Sequence, residues 1–492
     1  MPVNSTHVDY EAAAPSWARA RDVLAGEDAV KAGGEKYLAR LDGQTDEEFA
    51  AYGQRASFFN ATARTAEAYQ GLIFRRPPFV KLPEASTGAG RALAEFQNDT
   101  DLLGTSLSGY AKVVVGDVVG LGRAGSLVDW EAEAERRAYA VFYPAERIRN
   151  WRMGRVRGRN VLTLLVLAEK AEAGTPEAGR DEFEPEVVEQ LRVLRLVGGD
   201  DGAAFCRVDL WREQAVKGKR DKTEWVLVES RVPRRLGKPL PLIPFVFHGP
   251  RHSRPDVDRG PLEDIIAVNL DHYRLDADFK HGLHFTALPT AWVSGFDKTA
   301  SLRIGSSQAW VSETPGATAG FLEFRGQGLE TFERAMDRDE RLMAVLGSRM
   351  LEDVKKVGET ATAIELRQSG EYSILGNVAM SVSESLTQVL RWVYWWNSTE
   401  ELPDDVSDTQ VLMQLNTDFS TKGLASQDVQ AIVAAWQAGA ISQDTMFEVF
   451  RRGEVLPEGR TNPEEAALIK SEERDRPAVK AMARAQDAAG KT

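Results

Sequence analysis

A helix-forming stretch in the middle of the chain, LEDIIAVNLDHYRLDADFKHGLHF from Leu262 to Phe285, decides how the fold is organised. Pro261 precedes it, and proline is favoured in the first turn of a helix because its missing N–H has no intrahelical acceptor there. Apolar side chains recur along the stretch at roughly helical intervals. They are Leu262, Ile265, Ile266, Leu270, Tyr273, Leu275, Phe279 and Leu283. Because this stripe is irregular, it indicates a helix that is contacted from more than one side.

A second helix is expected after a short insert. Residues 286–325 are rich in Gly, Ser and Thr and contain the strand-like pieces PTAWVSG, SQAWVS and GFLEFRG. A helical pattern then returns from Leu329 to Gly347. Two helices that bracket a small β insert form a hairpin that cannot bury its own faces. The sequence therefore predicts a hairpin that needs neighbours, and a closed ring of heterologous contacts would supply them.

The strongest periodic signal follows the loop RMLEDVKKVGE at 349–359. Apolar residues spaced by threes and fours are Leu375, Val378, Val382, Leu386, Val389, Val393 and Trp396. They predict a helix from about Thr360 to Asn397, roughly 55 Å long at 1.5 Å per residue. Near its end, the four aromatic residues of WVYWW cannot share one helix face. At least one indole must therefore meet a second surface, in the same subunit or in a neighbour.

The regions on either side of this middle part differ in the secondary structure that their sequences predict. Residues 1–122 read as mostly helical, with helices at 17–31, at 46–75 up to Pro77 and Pro78, at 88–98 and at 102–119. From Gly125 to residue 247, short β-rich runs separated by turn residues predict an antiparallel β unit. Two further helices are expected at 426–438 and 443–452, followed by a charged helical tail from Pro463.

Length, net charge and cysteine content limit the classes of function that the protein can have. A chain of 492 residues should form two to four packed units. A net charge of −13 argues against tight nucleic-acid binding as the main task. The single cysteine, Cys206, excludes an intrachain disulfide and is expected to be a buried thiol. The apolar runs are too short to span a membrane, and the polar N-terminus lacks the order of a signal peptide, so we expect a product made in the cytoplasm.

Several groups of residues are candidates for a cofactor or metal site. GLGRAG at 120–125 has dinucleotide-like glycine spacing, but a helix precedes it and a strand follows, so a turn is the favoured interpretation. His248, His252, Asp256 and Asp258 are the best metal candidates, but two prolines interrupt the segment and a solvated loop is favoured. His272, His281 and His284 are expected to form a polar stripe at an interface. We predict no catalytic, cofactor-binding or metal-binding residue, and no enzymatic activity.

Three arginine-rich stretches could contact phosphate or an acidic partner surface: RRPP at 75–78, WRMGRVRGRN at 151–160 and RVPRRLGK at 231–238. A solvated strand or turn is the default interpretation of each. The second stretch is the most concentrated. If any contacts a partner, Arg152, Arg155, Arg157 and Arg159 are the candidates.

Three stretches carry a resemblance to a known family. They are YLARLDGQTDEEFAAYGQRASFFNATARTAEAYQGLIFRRPP, IPFVFHGP followed by PLEDIIAVNLDHYRLDADFKHGLHFTALPT, and GSRMLEDVKKVGETATAIELRQSGEYSILGNVAMSVSESL. Over residues 36–397 the chain resembles the portal proteins of tailed bacteriophages, in a branch long catalogued as a domain of unknown function. The resemblance implies an α+β fold and a ring, usually of twelve subunits, at one capsid vertex through which DNA enters and leaves.

The resemblance also implies subdomains. The boundaries are a wing at 1–259 (helical 1–122, β-rich 123–247), a first stem helix at 260–285, a clip at 286–325, a second stem helix at 326–348, a tunnel loop at 349–359, a long wing helix and return at 360–420, and a crown with the C-terminal tail at 421–492. The tunnel loop would supply the candidates for lining the DNA channel. These are Glu352, Asp353, Val354, Lys355, Lys356 and Val357.

The partners that the resemblance implies are other copies of the chain, the major capsid protein and scaffold, the large terminase subunit, and head-completion, adaptor or tail proteins. Double-stranded DNA would be contacted transiently and without sequence specificity, and no membrane or cofactor is expected. The protein would be located at the portal vertex of the virion. Two alternatives remain: another oligomeric virion protein, such as a minor head or adaptor protein, and a metal-dependent hydrolase built on the histidine and aspartate cluster.

Overall fold

The computed structural model describes residues 2–132, 135–156, 158–172, 187–198, 204–215, 223–287, 290–296, 310–322, 328–349, 374–399, 411–417, 419, 426–453, 455–456 and 460–471. Helices and antiparallel sheets are both present, so the predicted α+β class is confirmed. The chain divides into two compact units, Met1–Thr417 and Asp418–Thr492. Among the described helices, none combines the length and apolarity that crossing a bilayer requires.

The N-terminal region is helical, as predicted. Its helices are α1 (Val8–Ala25), α2 (Glu27–Ala32), α3 (Asp46–Arg55), α4 (Ala61–Ile73), α5 (Gly88–Asn98) and α6 (Leu107–Leu121). The predicted boundaries need three corrections. The helix expected at 17–31 begins at Val8 and breaks at Gly26, which has φ +105°. The helix expected from residue 102 begins after Ser106, whose hydroxyl caps it by accepting from the Gly109 N–H.

The third correction concerns the long helix expected at 46–75, which is two helices. Ala56 is extended, and the backbone N–H of Ser57 donates to the Asp276 carboxylate at 2.6 Å instead of to an intrahelical carbonyl. Asn60 then caps α4 by accepting from the Ala63 N–H at 3.0 Å. The chain therefore bends at residues 56–60, where a helix that belongs to a distant part of the sequence captures its backbone.

Antiparallel sheets make up the middle of the first unit. A three-stranded sheet has the order β11–β2–β3, with β2 (Ala124–Trp130), β3 (Ala138–Pro144) and β11 (Phe245–His248). A five-stranded meander contains β4 (Ile148–Val156), β5 (Arg159–Glu172), β6 (Val187–Gly198), β7 (Ala204–Ala215) and β8 (Thr223–Arg231). Two-stranded pairs are formed by β1 (Phe79–Lys81) with β14 (Leu412–Gln414), and by β9 (Arg234–Arg235) with β10 (Lys238–Pro239).

Cys206 lies in β7 and is fully buried, as predicted. Its backbone N–H donates to the Leu240 carbonyl at 2.7 Å. Burial raises the pKa of its thiol to about 12. It is therefore a packed apolar group and not a reactive one.

The remaining elements of the first unit are helices α7 (Glu263–Ala287), α8 (Leu329–Arg349) and α9 (Ile374–Asn397), with strands β12 (Thr290–Ser294) and β13 (Thr318–Leu322) between α7 and α8. The two strands form an antiparallel hairpin. The stretch SQAWVS is not a strand in its described residues 310–312.

Helix α9 is the buried centre of the first unit. Every residue of its predicted apolar stripe from Leu375 to Trp396 is buried, which confirms that periodicity. The predicted beginning of this helix near Thr360 lies outside the described residues. Its terminal indoles meet a second surface of the same subunit: the Trp396 ring stacks on Trp130 at 5.8 Å, and the Arg235 guanidinium lies 4.5 Å from the Trp395 ring.

The second unit is helical, with α10 (Ser426–Gln437), α11 (Gln443–Arg452) and a further helix, α12, at residues 462–471. Its core is formed by Met446, Phe447 and Phe450, against which Ile432, Val433 and other apolar side chains pack. The predicted pair of helices around the AGAISQ turn is confirmed.

Candidate functional site

Helices α7 and α8 form an antiparallel hairpin. Near one end, a Cβ on Gly282 would lie only 2.9 Å from Leu329 Cδ2. About ten residues away on both helices, His272 Nε2 lies 3.5 Å from Glu340 Oε1. The two helices therefore run in opposite directions, and the β12–β13 hairpin lies in the chain between them.

This hairpin is fixed to the N-terminal helices by polar contacts. The side-chain Oδ1 of Asn269 accepts from both the backbone N–H and the hydroxyl of Thr62, at 3.1 and 2.8 Å. Tyr69 donates to the Gly347 carbonyl at 2.6 Å, and Tyr52 donates to the Asp278 carboxylate at 2.5 Å. Burial and this acceptor carboxylate both raise the pKa of Tyr52, so its hydroxyl remains a donor at physiological pH.

Large parts of the two helices and of the chain between them are exposed. Within α8, Asp339 and Met343 are the buried residues among those whose exposure is described. Exposed large apolar side chains occur on both helices and on the chain between them. They are Leu283 at 39%, Trp292 at 45%, Val311 at 82%, Phe321 at 53%, Leu342 at 37% and Val345 at 43% exposure. We call these six residues the hairpin patch, and it is the candidate interaction site of the first unit.

Three of the four predicted partner-contact arginines lie on one β-hairpin. Arg152 and Arg155 lie on β4 and Arg159 on β5, and all three are exposed. Arg155 pairs with Asn160 across the ladder, and Gly158, with φ +83°, forms the turn between the strands. Arg157 lies outside the described residues. The cluster is therefore a solvent-facing end of a β-hairpin, which agrees with the default interpretation and leaves a partner contact open to test.

The predicted channel residues Glu352, Asp353, Val354, Lys355, Lys356 and Val357 lie outside the described residues. Their assignment therefore stays a prediction from the resemblance.

The histidine and aspartate candidates for a metal site have separate surroundings. Both ring nitrogens of His248 are engaged by hydroxyls, Nε2 with Ser126 at 2.6 Å and Nδ1 with Ser385 at 2.7 Å. His252 Nε2 faces Asp258 Oδ2 at 3.8 Å. Among the residues that the structure describes, no group of three or more His, Cys, Asp or Glu is arranged to hold a metal ion.

The three histidines of α7 do not act as one stripe. His272 is buried beside Glu340 and Phe59, whereas His281 packs its ring edge-on to Tyr52 at 5.2 Å. Burial and the neighbouring Arg55 lower the pKa of His281. His284 is exposed.

The glycine-rich stretch at 120–125 is a helix-to-strand turn, as predicted. Helix α6 ends at Leu121, Gly122 has φ +80°, and β2 begins at Ala124. A Cβ at Gly122 would lie 3.0 Å from backbone atoms of Asp258 and Gly260, so a close approach of two backbones requires glycine here. Buried Arg123 lies next to the turn, its guanidinium 4.3 Å from the Trp151 ring and 4.7 Å from the Phe247 ring.

A buried polar chain through His248 was not anticipated from the sequence. Ser385 donates to the Val382 carbonyl at 2.9 Å, so its oxygen accepts from Nδ1–H of His248. Nε2 must then accept from the Ser126 hydroxyl, whose oxygen accepts from Tyr110 at 2.6 Å. Burial lowers the pKa of His248 to about 3, so the ring is neutral and this single proton order is fixed. The chain joins α6, β2, β11 and α9 and has no access to solvent.

The sequence signal for this chain was the alternation of hydroxyl residues in SVSESLT. Ser381 and Ser385 are four residues apart and face the end of β11, where Ser381 donates to the Gly249 carbonyl at 2.8 Å. Ser383 and Thr387 form a second such pair on the side of β14. There Ser383 accepts from the Leu415 N–H at 2.9 Å, and Thr387 accepts from the Met413 N–H at 3.0 Å.

Comparisons with known proteins give one sequence match and several remote structural likenesses. A family model described as a domain of unknown function, DUF4055, matches residues 261–397. No curated protein is similar enough in sequence to match the chain.

The structural likenesses are to chains of gene transfer agent particles. A chain from the virion of the native particle is 13% identical, with 88% of this chain and 99% of the other covered and a TM-score of 0.35. A chain from the neck of the empty particle is 13% identical, with 84% and 96% covered and a TM-score of 0.36. A chain from the neck of the native particle is 11% identical, with 84% and 97% covered and a TM-score of 0.31. TM-scores below 0.5 do not establish a common fold.

Proposed function

We propose that the chain is a subunit of a homo-oligomeric ring in a phage-like virion, and specifically a portal protein. The ring would occupy one capsid vertex, form the channel for DNA packaging and ejection, and serve as the attachment point for terminase and later for head-completion or tail proteins. The protein would be made in the cytoplasm of the host and have no enzymatic role of its own.

The hairpin patch is the observation that carries this proposal. Six exposed large apolar side chains lie on α7, α8 and the segment between them, while other residues of the same two helices are hydrogen-bonded to the N-terminal helices. A rigid hairpin with apolar outer surfaces gains stability when another subunit covers it. In a ring, each copy covers one side of the hairpin of the next copy.

The order of elements supports the same proposal. Two antiparallel helices joined by a small β-hairpin and followed by a long buried helix have the order that the family resemblance implies for stem, clip, stem and wing helix. The family model that matches residues 261–397 begins just before α7 and ends at the last residue of α9. The stretch that the family model matches therefore contains α7, α8 and α9.

The subdomains we propose are stem helices at 260–285 and 326–348, a clip at 286–325, a tunnel loop at 349–359 and a crown with the C-terminal tail at 421–492. The net charge of −13 suits a conduit, because each neutralised phosphate would add salt-sensitive affinity and retain the DNA. Lys355 and Lys356 would face the DNA, with Glu352 and Asp353 as a counterweight. Alanine at both lysines should preserve the ring and alter packaging or retention of DNA; loss of the ring would contradict the assignment.

The partners we propose follow from this role: the major capsid protein and scaffold, the large terminase subunit, adaptor or tail proteins, and double-stranded DNA without sequence specificity. Arg152, Arg155 and Arg159 are the described candidates for a contact with one of these partners.

The native mass of the purified protein, with negative-stain images of the same sample, tests the proposal. We expect a mass near twelve times the 54.3 kDa subunit and end-on views with a central hole. Rings with a hole too small for duplex DNA would favour another oligomeric virion protein. Monomers or dimers that persist with capsid and scaffold proteins added would overturn the proposal.

A further inference from the structure

The charges on α8 are sorted by sign around the helix. At about 100° per residue, the residues that face the rest of the subunit, such as Asp339 and Met343, define the inner side. Four acidic residues fall about 60–140° from Met343 in one direction. They are Glu330, Glu333, Asp337 and Glu340, and we call them the acidic flank.

The arginines fall on the adjoining outer side. Arg334, Arg338 and Arg341 lie about 160–220° from Met343, and exposed Leu342 and Val345 of the hairpin patch lie among or beside them. We call these five residues the arginine flank. All nine residues of the two flanks are exposed.

Contacts within the helix do not account for this arrangement. Arg334 and Glu330 form an ion pair at 3.2 Å, but their side chains are 80% and 77% exposed. Such solvated pairs contribute little to stability. A helix that only needed solubility would not require one sign on each flank, whereas a surface that meets its own complement does.

We propose that α8 is a head-to-tail contact between copies of this chain, in which the arginine flank of one copy packs on the acidic flank of the next. Leu342 and Val345 exclude water from the ion pairs, which strengthens them. Because the two flanks are different surfaces of one helix, every copy carries both of them, and the contact can repeat from copy to copy. This inference rests on the proposed function and identifies the surface through which the ring assembles.

Charge reversal with mixing tests the contact. One variant reverses the acidic flank (Glu333→Lys with Asp337→Lys), and the other reverses the arginine flank (Arg338→Glu with Arg341→Glu). Each alone places like charges across the contact, so the protein concentration for half assembly should rise at least about tenfold, as a loss of 1.4 kcal/mol per contact would produce.

A 1:1 mixture of the two variants should restore the ring, because alternating copies again bring opposite charges together. Mixing cannot repair a contact within one chain, so restoration identifies a contact between copies. A chain that carries all four substitutions should assemble on its own.

Glu47→Lys with Glu67→Lys is the matched control for the acidic-flank variant, since it changes the net charge by the same amount and sign at exposed positions of α3 and α4. It should assemble like the unmodified chain. If the unmodified chain forms no oligomer, the proposed function fails. If it forms rings and both reversed variants do so at the same concentration, or if the mixture stays unassembled, the α8 contact is wrong and the ring stands.

Discussion

At the scale of single residues, His248 is not available to bind a metal ion, although other residues of metal-binding types lie near it in the sequence, because both of its ring nitrogens are hydrogen-bonded to serine hydroxyls. Its ring is 1% exposed and holds one proton order from Tyr110 to the Val382 carbonyl. Protonation of Nε2 would give two donors facing each other, because the Ser126 hydroxyl already donates there. The neutral ring is therefore part of the folded structure.

This requirement predicts a pH dependence of stability. The pKa of His248 is about 3 in the folded chain and about 6.5 when unfolded, so between these values the unfolded chain binds a proton that the folded chain does not. The free energy of unfolding should therefore decrease as pH falls below 6.5, by about 1.4 kcal/mol per unit from this residue. Urea unfolding at pH 7 and pH 5 measures the loss.

His248→Gln is the comparison, because glutamine can donate and accept but does not titrate. The lowered pKa of His281 also makes stability depend on pH, but it contributes equally in the unmodified chain and in His248→Gln, so it does not affect the difference between them. An equal loss of stability in the two proteins would show that His248 is not responsible.

Sequence spacing could predict the burial of Cys206 and the turn at Gly122, because both depend on near neighbours. It could not predict the role of His248, whose partners Ser126 and Ser385 lie 122 and 137 positions away.

At the scale of elements, the hydroxyls of α9 form hydrogen bonds with backbone groups at the edge of β14, where a neighbouring strand would otherwise form them. Thr387 accepts from the N–H of Met413 and donates to its carbonyl at 3.2 Å, which satisfies both backbone groups on the open side of β14. Unsatisfied, these buried groups would be costly.

Thr387→Val should therefore destabilise the first unit by about 1–3 kcal/mol, since the shape is kept while the Met413 backbone loses both partners. Thr65→Val in α4 is the matched control, because that hydroxyl only donates to the Ala61 carbonyl of its own helix. Urea midpoints of both variants provide the measurement. Equal small effects would contradict the role assigned to Thr387.

The stripe of α9 was predictable because its periodicity is strong. Helix α7 was predictable from Pro261 at its start and from apolar residues at roughly helical intervals. The break between α3 and α4 was not predicted, because apolar residues recur at roughly helical spacing from Phe58 to Ile73. The Asp276 carboxylate, 219 positions away, decides the bend by accepting from the Ser57 N–H. The hairpin patch could be inferred only as a need for neighbours, because exposure depends on the packing of the whole subunit.

At the scale of the whole molecule, the chain has two compact units, each with its own core. Composition and texture were enough to predict an α+β protein of several packed units. They could not establish the exposure of each face, which is what suggests assembly.

Separate cores predict separate unfolding. Phe450→Ala should lower the stability of the second unit by about 3 kcal/mol, because it leaves a cavity beside Met446 and Phe447, and leave the first unit's transition in place. Trp436 is the sole tryptophan after Thr417, so the difference between the chain and its Trp436→Phe variant follows the second unit by fluorescence.

Leu468→Ala, at a side chain that is 41% exposed in the same unit, should change stability by less than about 0.5 kcal/mol. A single transition that shifts as a whole in Phe450→Ala would contradict independent cores.

The burial of the chain's one thiol has a practical consequence. Cys206 is fully covered and its pKa is about 12, so maleimide dyes at neutral pH have no native target. Leu103→Cys, at a side chain that is 85% exposed and lies outside the hairpin patch, would therefore take one fluorophore per copy without any prior removal of cysteine. Stepwise photobleaching of single labelled particles would then count the copies directly.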